Sequence, residues 1–271
     1  MDMQQTVLIT GATSGIGLEL AKLFAADGYR LVIVARDVMD LAATASLLRD
    51  TYSASVEVFA KDLFDPESGF ELYRDLKESG IIVDVLVNNA GQGQYGLFID
   101  TDIRRQLDII QLNISSLVVL THLFLKDMVA AGSGKILNLS SIASKAPGPW
   151  QAVYHGTKAF VQSFTEAIRS EVKDTGITVT ALLPGVTDTD FFNKADMTCS
   201  KAVQDKDDMA DPAEVAKDGY DALMRGDDKV ISGFKNKVQV ALNNLIPDQN
   251  AADQMKDFQE PVDEDKDSIQ D

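Results

Sequence analysis

Tyr154 and Lys158 stand four residues apart in a stretch, 151–174, with helical periodicity, so their side chains fall on one helix face. A phenol with a pKa of about 10 is a sluggish proton donor or acceptor at neutral pH, and a nearby cation stabilises its phenolate. Such a pair suits acid–base work on an oxygen whose charge changes, as when a carbonyl accepts a hydride. A second group lies near the start of the chain, where Thr10-Gly11-Ala12-Thr13-Ser14-Gly15-Ile16-Gly17 follows an apolar run and leads into a helix. The first amides of that helix, with its dipole, form a site for a pyrophosphate. Gly11 permits the tight turn, Gly15 lets the backbone approach phosphates, and Gly17 allows close packing of the helix on the strand.

The run Arg30–Ala35 reads as the second strand, and Arg36 follows it directly. An acidic residue here grips the ribose 2′-hydroxyl of NAD, whereas a guanidinium suits the 2′-phosphate of NADP. Arg36 therefore favours NADP(H), with NAD less favoured, although Arg36 also reads as a solvated loop residue that Asp37 draws away. At the end of the third strand Asp62, next to Leu63, is placed to hydrogen-bond an adenine amino group, and equally reads as a loop acid after Lys61.

The elements that position these residues alternate: short β-branched runs, then longer segments of helical period, the pattern of a parallel sheet with helices on both faces. Strands are expected at 6–10, 30–35, 56–60, 83–87, 135–139, 177–182 and 229–231. Helices are expected at about 16–26, 39–51, after Pro66, 102–131 as one long helix, 151–174, from Pro212, and 234–246 as an amphipathic helix. The fold class expected is thus α/β: a Rossmann-type, doubly wound parallel sheet of about seven strands in one catalytic domain over 1–246. The polar segment 186–210 is longer than an ordinary connection and reads as a substrate lid.

Composition narrows the partners. The chain of 271 residues carries a formal net charge of −17, which repels nucleic acid and anionic membrane faces. From 248 onward nine acidic residues face two lysines, so 247–271 is expected to be an acidic, disordered tail. The sole cysteine, Cys199, cannot form an internal disulfide, and with only two histidines, His122 and His155, no structural metal is expected. No basic leader and no apolar stretch near the length of a membrane span are evident, so a cytoplasmic location is expected.

The glycine turn at 10–17, Asn88-Asn89-Ala90-Gly91 after the fourth strand, Asn113, Ser141, Tyr154-His155-Gly156-Thr157-Lys158 and Pro184-Gly185 occur in order. In this ordered set, over about residues 6–233, the chain resembles the short-chain dehydrogenase/reductase family. The resemblance implies that Tyr154 is the general acid, that Lys158 lowers its pKa and reaches the ribose hydroxyls, and that Ser141, chosen over Ser140 by spacing, orients the substrate oxygen. It implies for Asn113 a water in the proton relay. It also implies a cofactor cleft lined by Gly11, Thr13, Ser14, Gly15, Ile16 and Gly17, by Asn89, Ala90 and Gly91, and closed by Pro184, Gly185, Val186, Thr187 and Thr189. Family members that prefer NADP often carry a basic residue where this chain has Ser14, so the preference rests on Arg36.

The expected activity is hydride transfer between NADP(H) and a small-molecule carbonyl or secondary alcohol, in a homodimer or homotetramer. Trp150, Tyr95, Ile142, Phe191 and Phe192 either face an apolar substrate or pack the lid. His155, as the neighbour of Tyr154, is expected to pack or rim the site. The competing readings are a non-catalytic NADP-binding sensor and a 3-oxoacyl thioester reductase.

Overall fold

The computed structural model describes residues 4–205, 209–243 and 248–262. Seven parallel strands form one sheet in the order β3-β2-β1-β4-β5-β6-β7: β1 (Thr6–Thr10), β2 (Arg30–Ala35), β3 (Val56–Ala60), β4 (Val85–Asn88), β5 (Gly134–Leu139), β6 (Ile177–Leu183) and β7 (Lys229–Ile231). Strands covered on both faces read as unbroken apolar runs, and alternate side chains go to opposite faces. In β1, Val7 and Ile9 join the core beneath α1 (Gly15–Ala26), α2 (Val38–Tyr52) and α8 (Pro212–Arg225). Leu8 points the other way, into the core under α3 (Ser68–Glu78), α5 (Ser116–Ala131) and α6 (Ala152–Glu171).

Caps set the helix limits. Asp37 accepts hydrogen bonds from the amides of Met39 and Asp40 to start α2, and Asp211 accepts from Ala213 to start α8, with Pro212 in its first turn. Gly132, in the left-handed region at φ 70°, ends α5 so that β5 can begin.

Four expectations change. The fourth strand starts at Val85, because Asp84 turns its backbone and side chain to β1: its amide donates to Thr6 O and its carboxylate accepts from Thr6 N. The helix expected over 102–131 is interrupted: α4 (Ile103–Ile110) passes through a π-helical turn, Gln111–Ser115, before α5. By length and composition this stretch, Ile103–Ala131, could cross a membrane, against the expectation that no such stretch exists. Its Leu120, Phe124 and Met128 are buried against β4, β5 and α3, as in a core helix. Finally, the tail is not disordered throughout, since α10 spans Asp248–Gln259 after α9 (Phe234–Asn243). Ala251 and Gln259 are buried there, which anchors an otherwise acidic helix. Residues 244–246 of the expected amphipathic helix, and 263–271, lie outside the described residues.

Candidate active site

Strand order reverses between β1 and β4, and in open parallel sheets the crevice beyond the carboxyl ends at such a point receives the ligand. The turn there is held by Asn89. Its side-chain amide donates to both Thr10 O and Gly11 O at 2.9 Å, while the Thr10 hydroxyl accepts from the amides of Asn89 and Ala90. Gly17 sits beneath this knot, where a Cβ would stand 2.2 Å from Gly11 O and 2.3 Å from Asn89 Nδ2. Its small size thus serves the turn and β4, rather than helix-on-strand packing. Gly11 requires a glycine by conformation as well, at φ 65°.

A cavity of about 820 Å³ opens along this edge. All the expected cofactor and catalytic positions line it except Gly17, buried under the turn, and Asn113, which lies behind Gly91 and Gln92.

Ser14 makes no side-chain cap on α1, and no acidic residue lies in that first turn, so nothing competes with an anion for those amides. Arg36 is exposed, with its guanidinium 5.0 Å from the Phe64 ring centroid, and among the described residues it forms no ion pair. Asp37, the neighbour that threatened to neutralise it, spends its carboxylate on the α2 cap. Lys61 is held by Glu71 and Asp75, and Asp62 accepts from the Phe64 amide at 3.2 Å, which fixes the loop that carries Phe64.

At the other end Tyr154, on the first turn of α6, lies with its ring centroid 5.1 Å from that of Phe191. Burial pushes the Tyr154 hydroxyl up to about 12, and a hydrogen bond with Ser141 opposes this. The phenol is therefore protonated at neutral pH, the state a proton donor needs. Lys158 is buried, with Nζ 5.7 Å from the Tyr154 ring centroid, and burial pushes its ammonium down to about 8. Its ammonium donates to Leu139 O at 2.8 Å, and the expected lowering of the Tyr154 pKa by Lys158 is not seen, because burial outweighs it. Ser140 and Ser141 both line the cavity and differ in their bonds: the Ser140 hydroxyl donates to Lys158 O at 2.8 Å, whereas the Ser141 hydroxyl lies beside Tyr154, donates more weakly to Pro184 O at 3.3 Å and accepts from Ala143 N at 3.0 Å.

Asn113 falls in the π-helical turn. Its side chain donates to Gln92 O at 2.9 Å and Thr157 Oγ1 at 3.0 Å and accepts from Gln92 N at 3.0 Å. The side-chain amide thus clamps the β4 loop to α6.

Of the five apolar positions left open, Ile142, Phe191 and Phe192 line the cavity. Tyr95 and Trp150 stack on each other at 5.5 Å within the lid core. The lid itself closes on a pairing of Thr187 with Ala210. His155 is buried, with Nδ1 2.8 Å from Ala146 O and Nε2 3.0 Å from Gln259 Nε2.

Several site residues escape the sequence. Arg105 of α4 sits 5.3 Å from the same Phe64 ring and bonds Gln92, and Asn236, Val240, Met255, Phe258 and Gln259 join the wall from α9 and α10. They meet only through tertiary contacts, and no motif marks them.

The short chain dehydrogenase family model matches residues 5–199. A dehydrogenase/reductase SDR family member 7B of Danio rerio is 32% identical over 255 residues, covering 90% of this chain and 82% of that protein. A very-long-chain 3-oxoacyl-CoA reductase of Coprinopsis cinerea is 37% identical over 176 residues, 64% of this chain, and the match spans 51% of that protein. Among solved structures, a short-chain dehydrogenase from Sphingobium yanoikuyae in complex with NADPH superposes with a TM-score of 0.79 at 32% identity, over 92% of this chain and 98% of that one. The fold, the ordered site and these matches define one class of protein: the chain belongs to the short-chain dehydrogenase family, whose members are oxidoreductases.

Proposed function

We propose that this chain is an NADP(H)-dependent reductase or dehydrogenase acting on a ketone, aldehyde or secondary alcohol with an apolar body. The observation that carries the reading is the meeting of the Ser141 and Tyr154 hydroxyls in the cavity, with Lys158 behind them and Arg36 at the opposite end. The residues present fit a dinucleotide: uncapped amides at α1 for the pyrophosphate and an unpaired guanidinium for a 2′-phosphate. Two solved structures similar to this one, that from Sphingobium yanoikuyae and an alcohol dehydrogenase from Thermococcus sibiricus, carry NADPH or 5-hydroxy-NADP. The bound cofactor supplies or takes the hydride.

In reduction, Ser141 holds the substrate oxygen by a hydrogen bond and Tyr154 delivers a proton to that oxygen as negative charge builds on it. Lys158 stabilises the phenolate left behind. Asn113 keeps Gly91 and Gln92 in register with α6, so that the cleft beside Lys158 keeps its shape. Ile142, Phe191 and Phe192 exclude water from the reacting oxygen and favour an apolar substrate.

The test is titration with NADPH and NADH followed by turnover of a panel of ketones, aldehydes and a 3-oxoacyl thioester. Tyr154→Phe should lower turnover by about a thousandfold or more while NADPH affinity stays within about twofold. Loss of cofactor binding in that variant would remove Tyr154 from the proton-transfer role. The thioester arm is included because of the likeness to 3-oxoacyl-CoA reductases. Turnover confined to it would move the substrate class there, and binding without any turnover would favour a sensor.

The proposal extends to a cytoplasmic homodimer or homotetramer. Exposed Ile103 and Leu107 on α4 and Phe160 on α6 support a sister subunit on that face, and the mass in solution by light scattering decides it.

A further inference from the structure

The carboxyl-terminal residues join the site through Gln259. Its main-chain oxygen accepts from the Tyr95 hydroxyl at 2.5 Å and the Ser200 hydroxyl at 2.8 Å. Its side-chain amide meets His155 Nε2 at 3.0 Å. Because His155 Nδ1 lies 2.8 Å from Ala146 O, Nδ1 carries the proton and Nε2 accepts from the Gln259 amide. Beyond Gln259 the chain pairs with the lid: Lys201 N donates to Glu260 O, Val262 N to Cys199 O, and Lys201 Nζ meets Glu260 at 2.5 Å.

One residue thus ties three elements together: α10, the lid, and the first turn of α6 that carries Tyr154. The tie brings Met255 and Phe258 to the cavity wall. The seam is also incompletely satisfied. Trp150 Nε1, Gln151 Nε2 and Gln259 Oε1 are buried and make no hydrogen bond among the described residues, and Trp150 takes a left-handed backbone at φ 69°. Unmade buried bonds and strained backbone lower the cost of parting a contact. A seam of this kind closes a site without sealing it.

We infer that the carboxyl-terminal segment 248–262 is a detachable wall of the substrate end, latched by Gln259, and that it selects ketones whose apolar body is long enough to reach Met255 and Phe258. This rests on the reductase reading above. On this inference a short ketone held by Ser141 and Tyr154 stops short of Met255 and Phe258. A longer one gains contact with the wall and holds the latch shut over it.

The test uses the full chain and its variants Gln259→Leu and Phe258→Ala, with NADPH and methyl ketones from 2-butanone to 2-dodecanone. In the unaltered chain KM should fall as the ketone lengthens. In each variant the ratio of KM for 2-dodecanone to KM for 2-butanone should rise by about tenfold or more, with NADPH affinity within about twofold. An unchanged ratio overturns the inference, as does a loss of NADPH affinity that matches the rise in KM.

Should neither these ketones nor the aldehydes and thioester of the panel above be turned over by the unaltered chain, the reductase reading fails; whichever of them is turned over, hydrogen exchange still decides the latch. Gln259→Leu should speed amide exchange in both 195–204 and 248–262 by about tenfold. Faster exchange in only one of those segments, or in neither, overturns the latch.

Discussion

Replacing Lys158 by methionine should remove activity and leave the protein more stable at neutral pH. The fall of its pKa from 10.5 to about 8 comes from burial and corresponds to about 3 kcal/mol of preference for the neutral amine. A methionine of similar length carries no such penalty. It does forfeit the hydrogen bond from Nζ to Leu139 O, worth about 2 kcal/mol for a charged donor, so the net gain near pH 7 is about 1 kcal/mol. The pH dependence is the sharper reading. A group whose folded pKa is depressed contributes stability that is present above its unfolded pKa and is lost as pH falls through the folded value. Between about pH 7 and about pH 9.5 the unaltered protein therefore regains about 2 kcal/mol that Lys158→Met never lost, and the order of stability reverses. Urea unfolding of both proteins at the two pH values measures this. A variant less stable at neutral pH, or a gain that persists unchanged at the higher pH, would refute the account of Lys158 as a buried charge kept for function at a cost in stability.

Arg36→Asp should weaken NADPH binding by about a hundredfold and improve NADH binding, and titration with both nucleotides showing unchanged selectivity would remove Arg36 from 2′-phosphate recognition. Gly17→Ala should cost about 3 kcal/mol and abolish nucleotide binding, because the new methyl would stand 2.2 Å from Gly11 O; a melting curve within a degree or so of the unaltered protein would show that the turn can shift. Burial lowers the pKa of His155, so its contribution to stability is present above its ordinary value of 6.5 and is lost as pH falls below it. His155→Gln should flatten the loss of thermal stability between about pH 6.5 and about pH 5, and parallel curves for the two proteins would count against that.

The sheet was legible because its central strands are short apolar runs closed by glycine or a polar turn, as in Arg30–Ala35, and strands buried on both faces leave that mark whatever else surrounds them. The candidate catalytic set was legible because its order along the chain is local to strand ends and one helix. What escaped was tertiary. The π-helical turn at 111–115 has no composition of its own, and it surfaces only where the clamp by Asn113 needs a wider turn. Arg105 and Arg36, 69 residues apart in the chain, meet at Phe64. The helix at 248–259 was read as disordered because the tail that holds it is acidic and poor in aromatics, yet buried Ala251 and the bonds of Gln259 anchor it. A few well-placed contacts outweigh composition when a lid is there to receive them.

The two ends of the cavity handle charge in opposite ways, and this decides which residues can be changed cheaply. At the nucleotide end Arg36 is exposed, so holding a cation there carries little desolvation cost and one substitution can reverse the sign of the site. At the substrate end burial acts against both charged forms, the phenolate of Tyr154 and the ammonium of Lys158. Each charge is then best tolerated when the other is present, since a lone charge in a dry site is strongly disfavoured and an opposite neighbour offsets the cost. A proton leaving Tyr154 for the substrate oxygen therefore strengthens the hold of Lys158 on its own proton. The pair works as one unit, and Tyr154→Phe combined with Lys158→Met should cost little more activity than either change alone.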